Sequence, residues 1–220
     1  MEALWNKFDL NRPPTNSWRP SPGEFDTTHF ICEINKCLKD SSLQNTLHTE
    51  AALLSRLIYR MKWKFRNDKG LKKLIVQFDY LKDNIVIDKN NILLPSKQML
   101  DYVLVKIQGF AKLMCKIKST CMDAAKFFKS KINIGHAWTT SLIAYSVISR
   151  LWILSQDYVK QCCDWYRNLY MYRDKLKCVG VNWLPSNYTF PLDLKAWLSV
   201  EWEEQNDKCP IKEDLTSSID

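Results

Sequence analysis

The sequence predicts an all-α protein: an elongated antiparallel bundle of about five helices with an extended N-terminal arm. Three observations lead there. Glycine is only 5 of 220 residues, too few for a turn-rich β fold or a loop-built α/β enzyme. Apolar residues recur at helical spacing over most of the chain. Prolines gather at the start, at Pro13, Pro14, Pro20 and Pro22, where they exclude a helix interior. The expected organisation is an arm over 1–24, a helical domain over 25–202, and a flexible acidic tail over 203–220.

The arm carries Trp5, Phe8 and Trp18, which point to docking. Residues 26–40 place Phe30, Ile31, Ile34, Cys37 and Leu38 on one stripe. The next helix, about 45–66, has the stripe Leu47, Glu50, Leu54, Leu57, Ile58, Met61 and Phe65. Asn67 to Gly70 is a stop or kink. Leu71, Leu74, Ile75, Phe78 and Leu81 resume helical spacing over 71–83, and Ile85 to Ile87 could form a short extended piece. Ser96 suits the N-cap of a long helix, with Asp101 near its positive end. Its apolar positions are 99, 103, 107, 110, 114, 117 and 121. Gly109 within it suggests a close helix crossing.

The most apolar segment is 137–176. Eighteen residues from Ala137 to Leu154 approach the minimum for a membrane span, but Arg150 and five hydroxyl side chains fit a buried bundle helix better. No membrane partner is expected. Gly180 breaks the pattern, Trp183 to Pro191 reads as a loop, and Leu192 to Trp202 as a short terminal helix.

The formal net charge is +8, and it is uneven. Residues 60–73 hold seven basic side chains and one acid; residues 106–131 repeat that count. The end of the chain is acidic, which fits either a shield for a basic face or a plain solubilising end. A strongly cationic body favours polyanionic partners. The eight cysteines show no metal-ligand spacing and read as reduced, small apolar residues. A Gly-rich phosphate loop, a GxSxG elbow and an HExxH helix are absent. Glu201, Glu203 and Glu204 read as a solvated end, so no metal, cofactor, small-molecule substrate or enzymatic activity is expected.

What remains is cationic surface interleaved with aromatics. Arg60 and Lys64, and Lys62 and Arg66, are i,i+4 pairs able to follow a phosphate backbone, and an exposed Trp63 could stack on an unpaired base. With Arg56, Lys69, Lys72, Lys73, Lys116 and Lys118 these are the candidate RNA contacts. The bland alternative buries Trp63 and Phe65 and leaves the cations solvated. Glu50 and Arg150 each lie on an apolar stripe, and an ionised group buried alone is costly. Glu50 therefore calls for an arginine, Arg150 first and Arg56 second. The competing reading leaves Arg150 exposed in a groove, binding RNA or a partner.

The stretch Leu47 to Tyr59, with Arg66 after it, resembles the N-terminal domain of the nucleolus and neural progenitor protein (Nepro) family. Pro95-Ser96 leading into Val103 to Ile107, then Ser149 to Leu154, then Tyr188-Thr189-Phe190-Pro191 with Leu194 and Leu198, are similar to its later signatures, in order, over about residues 47–198. Within these, Glu50, Tyr59, Arg150, Trp152, Phe190 and Pro191 read as structural. The resemblance implies a helical domain related to the small RNase MRP-specific subunit of fungi. It implies a nucleolar, nuclear setting and a non-catalytic subunit that binds RNase MRP RNA or precursor ribosomal RNA beside other RNase MRP/P proteins, the RNA itself carrying the catalysis. The alternative is a protein–protein adaptor in nucleolar ribosome assembly without specific RNA contact.

Overall fold

The computed structural model describes residues 3–7, 10–21, 23, 25–40, 44–60, 86–88, 91–135 and 137–201. A single 3-10 turn, Leu4–Asn6, precedes strand β1 (Ser17–Trp18). Helices α1 (Thr27–Asp40) and α2 (Gln44–Arg60) follow, then β2 (Val86–Asp88) and β3 (Asn91–Pro95). Helices α3 (Lys97–Asn133) and α4 (Trp138–Tyr170) come next, and a short α5 (Leu194–Leu198) ends the described elements. The expected helix over 71–83 and the part of the second helix beyond Arg60 lie outside the described residues.

The five described helices are organised around one hairpin. Helix α3 has 37 residues and α4 has 33. At 1.5 Å per residue they run about 55 and 50 Å. Only Ile134 to Ala137 separates them, so they must lie antiparallel. The turn uses Gly135 at φ 74° and Ala137 at φ 49°, both left-handed. We call the end at this turn the tip and the other end the base.

The first half of α3 is buried on nearly every side, from Gln98 through Val105 and again at Ile107, Gln108, Phe110 and Ala111. One apolar stripe cannot explain that. The arm, the segment after α4, and α5 cover the flanks that α4 leaves open. Strand β1 joins β3, pairing Ser17 with Pro95 and Trp18 with Leu94, and β2 pairs β3 on its other edge, all antiparallel. The buried Trp18 donates from Nε1 to the Pro95 carbonyl at 3.2 Å. Beyond the strands, the Ser96 amide donates to Asn16 O at 3.0 Å. Trp5 packs edge-on against Trp197 of α5 with ring centroids 5.4 Å apart.

Several expectations are corrected in detail. Ser96 occupies the N-cap of α3, but its hydroxyl makes no capping bond and is buried without a partner. Asp101 does lie near the helix start, but it is buried, and its carboxylate accepts from Arg173 Nε at 2.7 Å. Burial raises the Asp101 carboxyl above its ordinary pKa, and the Arg173 hydrogen bond and charge pull it back only partly. Gly109 does not mark a helix crossing: the Trp5 backbone lies against it. The terminal helix is confined to Leu194–Leu198, capped by Asp193 Oδ1 accepting the Lys195 amide at 2.9 Å and ended by Ser199 at φ 55°.

The segment after α4 is tied to the base by side chains. Gln98 Nε2 donates to Val179 O at 2.8 Å and Val181 O at 3.2 Å, while Gln98 Oε1 accepts the Val179 amide. Tyr188 donates to Gln108 Oε1. Tyr166 donates to Pro191 O at 2.8 Å, and the Arg173 guanidinium lies 4.7 Å over the Phe190 ring. Phe190 and Pro191, read as structural, thus hold the closing loop on α4.

Helix α1 buries Phe30, Ile34 and Cys37 toward α4, with Phe30 and Tyr172 rings 4.8 Å apart. Full burial of Phe30 or Ile34 is worth about 1.5–3 kcal/mol each. Helix α2 lies further toward the tip, against α4. The described cysteines are all free thiols. Among the described residues no helix is long and apolar enough to cross a membrane, and no cluster of three potential metal ligands occurs.

Candidate nucleic-acid interface

The tip half of α3 is where the described cations concentrate. From Lys112 to Lys131 there are six lysines and one acid, Asp123. Helical spacing sorts them. Lys112, Lys116 and Lys126 lie on the outward side of α3, away from α4, and all three are exposed. Asp123 sits in the same row and pairs loosely with Lys126 at 3.7 Å, both side chains in solvent. An exposed i,i+3 pair of that kind contributes little. Lys112 Nζ lies 5.2 Å from the Trp197 ring centroid, so α5 bounds the row at the base end. Near the tip, Lys131 Nζ lies 4.7 Å from the ring of the exposed Phe127.

The two α3 lysines among the candidate contacts part company. Lys116 is exposed in the outward row. Lys118 turns toward α4, its Nζ 5.6 Å from the Trp152 ring centroid. It is not in the row, because two residues round a helix is nearly the opposite side. Arg56 is exposed on α2, and Arg60 ends that helix. Lys62, Trp63, Lys64, Arg66, Lys69, Lys72 and Lys73 lie outside the described residues, as does the side chain of Tyr59.

Glu50 and Arg150 join α2 to α4. Arg150 Nε donates to Glu50 Oε1 at 2.9 Å, with 11 % of the Glu50 side chain exposed against 53 % of the Arg150 side chain. The second carboxylate oxygen, Oε2, is buried with no hydrogen-bond partner. The pair therefore sits at the rim of the α2–α4 contact. Glu50 thus meets Arg150, the first partner expected, between two helices, but only the acid is buried and the base reaches it from solvent. Arg56, the second candidate partner, faces solvent instead.

Of the row, the candidate contacts include Lys116; from sequence Lys126 reads as a solvated face or a phosphate contact, and Lys112 as part of the basic run 106–131. Their signal is present in the spacing, since positions 112, 116 and 126 fall opposite the apolar stripe 107, 110, 114 and 121. Phe127 escapes notice because an aromatic in a long helix reads as core.

Residues 5–170 match the family described as Nucleolus and neural progenitor protein, N-terminal. The chain belongs to that family. The family match takes in the arm from Trp5, which the motif resemblance left out, and stops at the end of α4. The Tyr188 to Pro191 stretch lies beyond it. The nucleolus and neural progenitor protein of Mus musculus is 22% identical over 114 residues, covering 52% of this chain and 20% of that protein. The protein of the same name from Homo sapiens is 23% identical over 118 residues, covering 53% of this chain and 21% of that protein. The chain thus matches about a fifth of the length of these relatives. No solved structure matches it.

Proposed function

We propose that this chain is a nucleolar, non-catalytic RNA-binding subunit of a ribonucleoprotein of the RNase MRP type, acting in precursor ribosomal RNA processing. The setting follows from the family and its mammalian relatives, which are named for the nucleolus. The observation that carries the RNA contact is the outward lysine row of α3. Lys112, Lys116 and Lys126 span 14 residues of one continuous helix, about 21 Å, with no acid other than Asp123 among them. Cations fixed along a rigid rod can neutralise successive phosphates, and each contact releases counterions and steepens the salt dependence of binding. The basic run from Arg60 to Lys73 adds charge beyond the end of α2.

RNA binding by the full chain, followed by fluorescence anisotropy across a salt series, tests this. Joint replacement K112E, K116E and K126E is expected to weaken binding at least tenfold and to lower the salt slope by about one for each phosphate no longer neutralised. Neutralising Arg60, Lys64 and Arg66 together is expected to act in the same direction. Crosslinking from cells should recover RNase MRP RNA. An unchanged salt slope in both variants would remove these faces as RNA sites. The adaptor reading would then stand, because Met122, Trp138 and Leu142 leave apolar surface open near the tip.

A further inference from the structure

Helix α4 has a flank that nothing in the described structure covers. Trp138, Leu142, Tyr145, Ser149 and Trp152 recur at spacings of four, three, four and three, which puts them on one stripe. On α3, Lys118, Met122 and Lys129 form the neighbouring stripe by the same spacing. The contact of Lys118 with the Trp152 ring sets the two side by side. Because the helices are antiparallel, that register brings Met122 level with Ser149 and Lys129 level with Leu142, within a residue. Trp138 is 55%, Met122 47% and Leu142 42% exposed. Tyr145, Ser149 and Trp152 are half-buried and form the floor. Arg150, which marks where α2 packs, lies about 120° round α4 from this stripe. Helix α2 therefore occupies another flank.

The chemistry of the face selects its occupant. Between Trp138 and Gln156 α4 has no acid, and its one base, Arg150, is on the other flank and already paired. On α3 the only acid between Lys116 and Asn133 is Asp123, which faces outward beside Lys126. Lys118 and Lys129 edge the groove, so the complementary surface is anionic. The groove surface is apolar, at Met122 and Leu142 and at the Trp138, Tyr145 and Trp152 rings of the same stripe, and a groove between two antiparallel helices accepts helical knobs at 3–4 spacing.

We infer that the groove from Lys118–Trp152 to Lys129–Leu142 docks an acidic amphipathic helix of a partner protein. The helix lays its apolar stripe on Met122 and Leu142 and sets carboxylates against Lys118 and Lys129. This goes beyond the RNA reading and does not depend on it, since the face lies on a different side of α3 from Lys112 and Lys116.

The test places a photoreactive benzophenone amino acid at position 122 or 142 of the full chain in cells, with position 139, an exposed threonine, as control. Crosslinked segments are identified by mass spectrometry. Both probes are expected to label one stretch of one protein, net negative, with apolar residues at 3–4 spacing. The variant K118E with K129E should cut the yield at least tenfold. K129E alone, at an exposed site, should cut it several-fold with an unchanged melting curve. The inference is overturned if the probes label RNA, label a basic or unpatterned segment, label no more than the control, or ignore the charge reversals. Crosslinks to RNA at 122 and 142 would overturn docking while leaving the function proposed above intact, and loss of RNA binding from the α3 row would leave docking untouched.

Discussion

The backbone carbonyl of Trp5 fills the space that a side chain at Gly109 would need. A helix-interior glycine normally costs about 1 kcal/mol relative to alanine. Here that loss lets the arm lie directly on the helix, with Trp5 against Trp197 holding it there. Gly109→Ala should therefore destabilise, although alanine is the better helix former. The arm must move off α3, and trypsin should cut after Lys7 sooner than in the parent chain. A rise in melting temperature with unchanged proteolysis would contradict the contact.

Removing Arg150 leaves the Glu50 carboxylate, with its already unpartnered Oε2, in a mostly buried site. One-sided loss of a fully buried pair costs about 3–5 kcal/mol. Solvent around Arg150 screens the pair, so Arg150→Leu should cost less, about 1–3 kcal/mol by chemical denaturation. Adding Glu50→Leu to it should restore most of that loss, because position 50 lies on an apolar stripe. Strictly additive losses in a double-mutant cycle would show that the two side chains do not couple.

How far such features can be read in advance depends on their range. The α3 stripe and the pairing of Glu50 with Arg150 are legible because each is a local signal: a period in one case, a charge on an apolar face in the other. The β1–β3 pairing is not. Two residues, Ser17 and Trp18, have no period to detect, and their partners lie more than seventy positions away. The same distance hides Asp101–Arg173, since neither residue is unusual alone. Lys118 is misplaced for another reason. A basic run shows that lysines are present, and only the rotation of the helix assigns each to a side.

Alkaline pH should expose the buried phenols. Burial pushes Tyr158 and Tyr188 up to about 12, and Tyr166 further still. A phenol with a raised pKa keeps its proton longer in the folded state than in the unfolded chain. Stability from this source is complete below pH 10 and is lost as pH rises toward 12, at about 1.4 kcal/mol per pH unit for each group. Denaturant midpoints should fall from pH 10 to 11. Tyrosinate absorbance of these three should appear together with unfolding, and Tyr188→Phe should flatten the decline.

Thiol reactivity should divide the cysteines in the native protein. Burial raises Cys162 well above the ordinary thiol range and Cys163 to about 12, and it also raises Cys115 and Cys121. Only a thiolate is alkylated. Iodoacetamide at pH 8 should modify the exposed Cys32 and Cys178 within minutes and leave Cys162 and Cys163 intact until denaturant is added. Early labelling of Cys162 would mean that the α3–α4 contact opens locally.

The grip of Gln98 on the backbone at 179–181 bears on where the folding unit ends. The family match stops at residue 170. Gln98, Asp101 and Gln108, all buried on α3, find their partners at Val179, Arg173 and Tyr188. A fragment cut at the boundary of the match would keep both long helices intact as rods. It would also leave an amide, a carboxylate and a second amide without their partners along one edge of the base. The self-sufficient unit thus runs through α5, and the last thirty residues before Glu201 act as the seam that closes it.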